Sequence, residues 1–500
     1  MNRKSFFYTI SFFEGAAVMA TEIIGAKFLA PLFGSSLYVW SSVMAMTLGG
    51  LAGGYFFGGR LSQKENTEKK LFVTLFLAGL FVLVMPMIIQ FASPLAFKAP
   101  LLVAVVVCSC LLLIPPVFCM GMISPLIVQL ISAGSADSGK RAGEVYAIST
   151  VGGILATFLT GFYLIPAFGL TLPLFVFGSI LLLFSVFYFV KHKDKTFIFV
   201  FLLLGGASVL NIIKENKPEP GILYKNEGML GKLEVMETAW DMDSLQKKEK
   251  HRLLLINNII QTWVECDSNK SYLHYIDKVE LLATKIKSHH PKALILGLGG
   301  GMAANVLYKR GFDVDVIELD ERMVKVAHDY FNLSPKVNVI IDDARHGVER
   351  LNKQYDMILV DLFNAEVTPS HALSVEAISK IKTLLKDSAL LVFNTYGYIQ
   401  PPTGLGNLSL LKTISHCGLN YKIEVDGENL SEDYRNFLIV TSKSKIGEID
   451  NELKEPVLIE KGSLITDNHP VLEYQNAAAA KRWRYYYLQG FIKSRKTSGV

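Results

Sequence analysis

The stretch that decides the fold is residues 293–301, Ala-Leu-Ile-Leu-Gly-Leu-Gly-Gly-Gly. A short apolar run leads into the glycines, a helical pattern follows, and a second apolar run, residues 314–318, ends in a carboxylate. This order predicts a β-strand, a tight turn, an α-helix and a second strand. Glycines let the backbone approach a ligand closely, and an acid about 20 residues later can bind both hydroxyls of a ribose. We therefore predict a nucleoside-type ligand held by Gly297, Gly299, Gly300, Gly301 and Glu318.

Composition divides the chain into two halves. Hydrophobic residues make up 51% of the 500 residues, and the excess lies almost wholly before residue 214. The mean hydropathy of +0.34 is too high for an ordinary soluble protein. Most of the apolar runs are long enough to cross about 30 Å of hydrocarbon. The candidate spans are 5–31, 38–59, 72–92, 101–132, 144–166, 171–190 and 196–213.

The run 101–132 is too long for one simple crossing, and three prolines, Pro115, Pro116 and Pro125, interrupt it. We expect either a kinked helix or a crossing followed by a re-entrant piece, because proline breaks the helical hydrogen-bond ladder. The membrane half therefore has about seven or eight spans. The first span is followed by more spans, so it is not a cleaved signal peptide.

Charge gives an incomplete account of topology. The net charge of +5 is modest and includes no basic run suited to nucleic acid. Lys and Arg mark loops near residues 3–4, 60–70, 140–141 and 191–195, which the positive-inside rule places in the cytoplasm. With seven spans the soluble half would lie outside the cytoplasm. With eight spans it would lie in the cytoplasm, but the basic cluster at residues 191–195 would then lie outside. We expect a multi-pass inner-membrane protein with a cytoplasmic soluble half, since nucleoside cofactors are made in the cytosol.

Pattern changes along the chain predict its domains. Residues 1–213 form a helical membrane domain, and 214–221, rich in Pro and Glu, form a linker. Alternating residues in 222–270 predict a small β subdomain. Strands and helices alternate in 271–475, which predicts an α/β Rossmann-like domain with a doubly wound sheet. Residues 476–500 form a basic and aromatic tail that is either a packing helix or a membrane-surface helix.

Three acids stand at the carboxyl ends of successive predicted strands: Glu318, Asp343 and Asp361. Ligands of open parallel sheets bind at that edge. Glu318 suits a ribose, Asp343 with the backbone of Ala344 suits an adenine, and Asp361 lies where a reacting group would sit. The alternative is that each acid only caps a following helix.

These residues resemble the spermidine synthase (polyamine aminopropyltransferase) family, including members fused to a transmembrane domain. The resemblance runs from about residue 224 to 473 and includes Arg252-Leu253…Gln261, the glycine turn, Glu318, Asp343-Ala344, residues 355–361 and Thr466-Asp467…Glu473. It implies a Rossmann-like methyltransferase-type fold. It also implies that Gln261, Glu318, Asp343 and Asp361 bind an adenosyl ligand or act beside it. In that family the Asp361 position holds and deprotonates an amine, which attacks the carbon next to a sulfonium and releases methylthioadenosine.

Departures from the family bear on the substrate. Gly300 replaces the aspartate that binds the amine of decarboxylated S-adenosylmethionine, and Asn364 and Asn257 replace two further acids. We predict that Asn257 and Asn364 contact the substrate. Fewer acids remain to hold a polyamine, and intact S-adenosylmethionine, which keeps its carboxylate, becomes a plausible substrate. Cys108, Cys110, Cys119, Cys266 and Cys417 have no metal-site spacing, so we expect no metal.

Several functions stay open on the sequence. The favoured reaction transfers an aminopropyl-type chain to an amine. In a lyase alternative the ligand's own carboxylate closes homoserine lactone, and methyl transfer is a third version. A transporter or nucleoside sensor is an alternative of another class. Glu14, Glu22 and Lys27 in the first span indicate a polar pocket or a buried ion pair. We expect small-molecule and lipid partners, and a homo-oligomer is compatible with the sequence.

Overall fold

The computed structural model describes residues 3–33, 37–98, 101–132, 137–193, 221–228, 230–240, 249–363, 369–425, 434–450, 452–453 and 457–485. The chain divides into two compact units. One comprises Met1–Glu219 with Asn226–Lys232, and the other Pro220–Lys225 with Leu233–Val500. The predicted span 196–213, most of the predicted linker 214–221 and the last residues of the predicted tail lie outside the described residues.

The first unit is helical. Its helices are α1 (Arg3–Phe33), α2 (Leu37–Ser62), α3 (Thr67–Lys98), α4 (Leu101–Ser132), α5 (Ser138–Leu159), a π-helical segment (Thr160–Leu164), α6 (Ile165–Phe168) and α7 (Thr171–Lys191). Within the described ranges five segments are long and apolar enough to cross a membrane: Arg3–Phe33, Thr67–Ala92, Val103–Ser132, Ser138–Phe168 and Thr171–Lys191. The structure therefore supports five apolar spans within the described residues, and the count of seven or eight spans for the whole chain stays a prediction. Helix α2 forms at a predicted span but is not among the five.

The run 101–132 is one continuous helix, α4, with all three prolines inside it. The expectation of a crossing followed by a re-entrant piece is therefore wrong. Proline is tolerated inside such helices because neighbouring helices and side chains satisfy the backbone groups that it frees.

Helices α1 and α5 approach closely through glycines. A Cβ atom on Gly15 would lie 2.0 Å from the carbonyl oxygen of Ser149, and one on Gly152 would lie 2.1 Å from that of Phe12. Small residues at helix contacts permit this approach. At the same contact the Ser149 hydroxyl donates to Glu14, which is 2% exposed, at 2.9 Å. A hydroxyl on the facing helix is thus a partner of the Glu14 carboxylate.

A small four-stranded sheet precedes the α/β core, in the order β1 (Ile222–Gly228), β2 (Gly231–Trp240), β3 (Glu249–Ile256) and β4 (Ile259–Glu265). Strands β3 and β4 pair antiparallel through a two-residue turn, Asn257-Asn258, with φ of 49° and 66°. Tight hairpin turns need positive φ at both central residues, and asparagine tolerates it. This turn geometry therefore suits asparagine at both positions, and the contact of Asn257 with substrate stays a prediction.

The core is a seven-stranded sheet in the order β10-β11-β9-β8-β5-β6-β7. Its strands are β5 (Lys292–Leu296), β6 (Asp313–Glu318), β7 (Asn338–Ile341), β8 (Tyr355–Val360), β9 (Leu385–Gly397), β10 (Asn420–Val425) and β11 (Arg435–Ser442). The helices are α8 (Tyr275–Thr284), α9 (Met302–Lys309), α10 (Glu321–Phe331), α11 (Ala344–Arg350), α12 (Val375–Thr383), α13 (Leu405–His416) and α14 (Leu472–Gln475). Short 3₁₀ turns are Ser370–Ala372 and Ile459–Lys461.

Strands β5 to β9 are parallel, and β11 pairs antiparallel with both β9 and β10. This is the predicted Rossmann-like, methyltransferase-type fold, with hydrophobic clusters on both faces of the sheet. Strand β9 extends to Gly397, which keeps Asn394 and Tyr396 inside the sheet. The carboxyl ends of β5, β6, β8 and β9 therefore meet along one edge.

Candidate active site

The glycine turn follows β5 and has the backbone that its sequence predicts. Gly297, Gly299 and Gly301 have φ of 93°, 53° and 79°, in a backbone region that residues other than glycine rarely adopt. A Cβ atom on Gly297 would lie 2.2 Å from the carbonyl oxygen of Asp361. Glycine is thus required here because the ends of β5 and β8 lie against each other, and the contact brings Asp361 to the turn.

Gly300 faces strand β4. Its N–H donates to Thr262 Oγ1 at 2.8 Å, and a Cβ atom there would lie 2.7 Å from Thr262 Cγ2. An aspartate at position 300 would therefore have to displace Thr262. The backbone oxygen of Gln261 lies beside Gly299, so β4 brings Gln261 to the turn as well.

Glu318, at the end of β6, is held by the backbone. Its two carboxylate oxygens accept hydrogen bonds from the N–H groups of Leu298 and Asp320, each at 2.8 Å. Burial raises the pKa of Glu318, and these two donors act in the opposite direction. A carboxylate has about four lone-pair positions, so both oxygens can still accept from a ribose. Leu319 (51% exposed) and Ile341 (48% exposed) give apolar surface at the same edge.

Asp343 is the N-cap of α11. It accepts from the N–H groups of Arg345 and His346 at 2.9 and 3.1 Å, so this acid caps the helix, and the contact with adenine stays a prediction. Its other oxygen lies 3.1 Å from His371 Nε2. Burial opposes ionisation, but the His346 N–H and His371 outweigh it and lower the pKa of Asp343. The side chain of Ala344 is buried in the core.

Asp361 belongs to a row of hydrogen-bonded side chains across three strands. The Tyr275 hydroxyl donates to Oδ2 and the Asn394 amide to Oδ1, each at 2.8 Å. Asn436 on β11 then donates to Asn394 Oδ1, also at 2.8 Å. Burial raises the pKa of Asp361, and the donors Asn394 and Tyr275 moderate that rise. Burial and the adjacent Asp361 raise the pKa of Tyr275 well above its usual value, so it stays a donor.

Four residues of this row and its surroundings were missed by the sequence analysis: Tyr275, Asn394, Asn436 and Thr262. Tyr275 begins helix α8, 86 residues before Asp361, and no local pattern links the two. Asn394 ends an apolar run, which is the one signal that could have found it. Asn364 lies outside the described residues, and Asn257 lies in the β3–β4 turn. Within the described ranges, no three His, Cys, Asp or Glu side chains form a group suited to a metal.

The region that contains this edge is similar to a known protein family. Residues 270–398 match the family described as the spermine/spermidine synthase domain. This matched region, residues 270–398, is called the synthase domain. The match begins just before α8 and ends after β9, so the synthase domain includes the glycine turn, the three strand-end acids and Tyr275.

The chain is similar to several known proteins over different lengths. The chain is 25% identical over 405 residues to polyamine aminopropyltransferase 2 of Aquifex aeolicus, which covers 76% of this chain and 77% of the relative. It is 31% identical over 158 residues to an N-terminal histidine N-methyltransferase of Emericella nidulans, with 31% of this chain and 28% of the relative covered. The chain thus spans less than a third of that fungal relative. A probable spermidine synthase from Corynebacterium glutamicum aligns with a TM-score of 0.38 at 19% identity, over 46% of this chain and 82% of that one.

Proposed function

We propose that the chain is a membrane-bound enzyme that uses S-adenosylmethionine or its decarboxylated form and releases methylthioadenosine, with aminopropyl-type transfer to an amine. The observation that carries this proposal is the position of Asp361. It is a part-buried carboxylate at the end of β8, against the glycine turn, with Tyr275 and Asn394 fixing its two oxygens. The catalytic residue is thus Asp361.

The nucleoside end of the proposed site is built from β5, β6 and β7. Glu318 accepts the two ribose hydroxyls, and Gly297, Gly299, Gly300 and Gly301 let the backbone lie close to the ligand. Leu319 and Ile341 offer apolar contact to the adenine, while Asp343 and the backbone of Ala344 recognise its edge. Gln261 approaches from β4, beside Gly299.

The proposed transfer needs a neutral amine, because a protonated nitrogen has no lone pair. Asp361 accepts the proton of the bound ammonium, and burial makes this carboxylate a stronger base than an exposed one. The nitrogen then bonds to the carbon next to sulfur. The carbon–sulfur bond breaks, its electron pair goes to sulfur, and neutral methylthioadenosine leaves. The charge of the sulfonium is thereby transferred to the new ammonium.

The lyase is the second candidate, and the environment of Gly300 favours it. The turn carries no acid at this position, and Thr262 takes the N–H of Gly300. The turn therefore does not repel the carboxylate of S-adenosylmethionine at residue 300. That carboxylate can attack the same carbon and close homoserine lactone, a step that needs no proton removed. Asp361 would then act by positioning and by stabilising the sulfonium.

Product analysis separates these candidates. The purified full chain is incubated with S-adenosylmethionine and, separately, with decarboxylated S-adenosylmethionine, each with and without an amine, and products are read by mass spectrometry. Transfer predicts methylthioadenosine only when an amine is present, with the amine heavier by the aminopropyl-type chain. The lyase predicts methylthioadenosine and homoserine lactone from S-adenosylmethionine alone. Adenosylhomocysteine would instead indicate methyl transfer, and no reaction would contradict the proposal.

The five apolar segments support a membrane location. We infer that the synthase domain faces the cytoplasm, because its nucleoside substrate is made there. Protease treatment of intact spheroplasts should leave this domain uncut until the membrane is lysed. Cleavage before lysis would contradict the orientation.

A further inference from the structure

Glu14 is a carboxylate buried inside the helical first unit, and the proposed reaction does not use it. It lies on α1, about three turns or about 17 Å from Arg3 at the start of the helix. This depth is near the middle of a bilayer core of about 30 Å. A carboxylate there is costly unless a cation or a proton neutralises it, so its neighbours indicate what it binds.

The described residues give Glu14 a hydrogen-bond donor but no basic partner. The Ser149 hydroxyl on α5 donates to its Oε2 at 2.9 Å, and no described Lys, Arg or His forms an ion pair with it. Lys27 lies about 20 Å further along α1, which is too far for an ion pair with Glu14. The predicted span 196–213, outside the described residues, contains no Lys, Arg or His. Glu14 is therefore not half of a buried ion pair with Lys27.

Two tyrosines from other helices lie beside this carboxylate. Tyr146 precedes Ser149 by about one turn of α5, so both lie on the same face of that helix. Its ring meets that of Tyr55, on α2, edge to face, with centroids 5.8 Å apart. Both phenols lie within electrostatic range of the Glu14 carboxylate, and both rings are partly exposed. Aromatic rings attract cations at their faces, so the rings and the carboxylate can act on one ammonium together.

A buried hydroxyl on the same face of α1 has no partner within the described residues. Hydroxyls in helices often donate to the carbonyl four positions earlier, as those of Thr9, Thr150 and Thr157 do at 2.9, 2.8 and 2.9 Å. Thr21, about two turns after Glu14, is fully buried, and its hydroxyl makes no such bond. A buried hydroxyl is costly unless a ligand or a water completes its hydrogen bonding. The polar face of α1 thus continues past Glu14.

We propose that Glu14, Tyr55 and Tyr146 form a binding site for a protonated alkylamine inside the helical unit. The ammonium pairs with the Glu14 carboxylate and lies against the two rings, while Ser149 holds the carboxylate in position. The alkyl chain follows the apolar surface of the helices. A divalent metal ion fits this site less well, because it needs about six or more oxygen ligands. The site belongs to the helical unit, so the inference goes beyond the reaction of the synthase domain and does not depend on it.

Carbodiimide labelling tests the site directly. The full chain in lipid nanodiscs at neutral pH is treated with dicyclohexylcarbodiimide, an apolar reagent that modifies buried carboxylic acids, and the unmodified fraction of Glu14 is followed by peptide mass spectrometry. Butylamine at about ten times its dissociation constant should slow the loss of unmodified Glu14 about tenfold. The matched ligand 1-butanol has the same chain without the charge and should not protect, nor should sodium chloride at the same concentration. Glu22, partly buried on the same helix, is the internal control and should react at an unchanged rate.

Two tyrosine variants supply matched controls. Tyr146→Leu removes one ring of the proposed site and should weaken protection by butylamine severalfold. Tyr163→Leu removes an exposed tyrosine of the same unit, whose ring meets that of Phe168 at 6.1 Å, and should keep the protection. Thermal unfolding at the midpoint of the unmodified chain shows that each variant is folded.

Several results would overturn the inference. Equal protection by sodium chloride would indicate an inorganic cation, and equal protection by 1-butanol would show that charge is not recognised. No protection at Glu14, equal slowing at Glu22, or unchanged protection in Tyr146→Leu would also contradict the site. Failure of the proposed function looks different, because it would appear in the product analysis and leave the protection of Glu14 unchanged.

Discussion

On the β6 and β7 side of the glycine turn, Glu318 and Asp343 accept hydrogen bonds from backbone N–H groups. On the β8 side, Asp361 accepts from the side chains of Tyr275 and Asn394. The proposed nucleoside end is thus held by turns that the local sequence specifies, whereas the proposed reacting end is held by residues that only the tertiary fold brings together. Substitutions should therefore affect binding on one side and proton transfer on the other.

The largest effect is expected at Glu318. Glu318→Ala removes the acceptor for both ribose hydroxyls, and no other strand-end acid of β6 replaces it. The affinity for methylthioadenosine should fall by on the order of 2–4 kcal/mol, measured by calorimetry. Near-native affinity would remove the ribose assignment and with it the distinction between the two sides.

Gly300→Asp tests how closely β4 covers the turn. The new side chain overlaps Thr262, so the variant should be less stable by about 1–3 kcal/mol in denaturant unfolding. Combining it with Thr262→Ala should recover part of this loss. If the carboxylate then faces the ligand, turnover should shift from S-adenosylmethionine toward the decarboxylated form. An unchanged ratio in a folded double variant would place residue 300 away from the aminopropyl chain.

Tyr275→Phe tests whether Asp361 is the base whose pKa sets the acid limb of activity. Burial raises the pKa of Asp361 and the Tyr275 hydroxyl lowers it, so removing the hydroxyl should raise it further. Activity is lost as pH falls through this pKa, and the acid limb of kcat/KM should therefore move to higher pH. At pH values on this acid limb we expect the variant to lose about tenfold in activity for each pH unit by which the limb moves. An acid limb at the same pH in the variant would show that Asp361 is not the titrating base.

The smallest effect is expected at Asp343, where capping and recognition can be separated. Asparagine caps helices about as well as aspartate, so Asp343→Asn should change the free energy of unfolding by only a few tenths of a kcal/mol. The asparagine side chain is neutral, so it accepts a weaker hydrogen bond from the adenine amino group than the charged carboxylate does. The affinity for methylthioadenosine should therefore fall severalfold. Unchanged affinity would mean that Asp343 serves only as a cap.

Local patterns account for what the sequence predicted well. The alternation from residue 293 to 318 places β5, the glycine turn and β6 in order, because each depends on neighbouring residues. Hydrogen bonds between residues that are far apart in sequence leave no such local pattern. Tyr275 reaches Asp361 across 86 positions, and Asn436 reaches Asn394 across 42. The same limit explains α4, whose prolines predict a break that a packed helical bundle tolerates.

The most direct test of the account is Asp361→Asn, with turnover and methylthioadenosine binding measured on the same preparation. The account predicts that turnover falls by about 100-fold or more, the usual contribution of a general base, while nucleoside affinity stays close to that of the unmodified chain. A loss that depends on pH supports transfer, and one that does not supports the lyase. Near-native turnover for every ligand, or a loss that follows weakened nucleoside binding, would contradict the assignment of Asp361 as the catalytic residue.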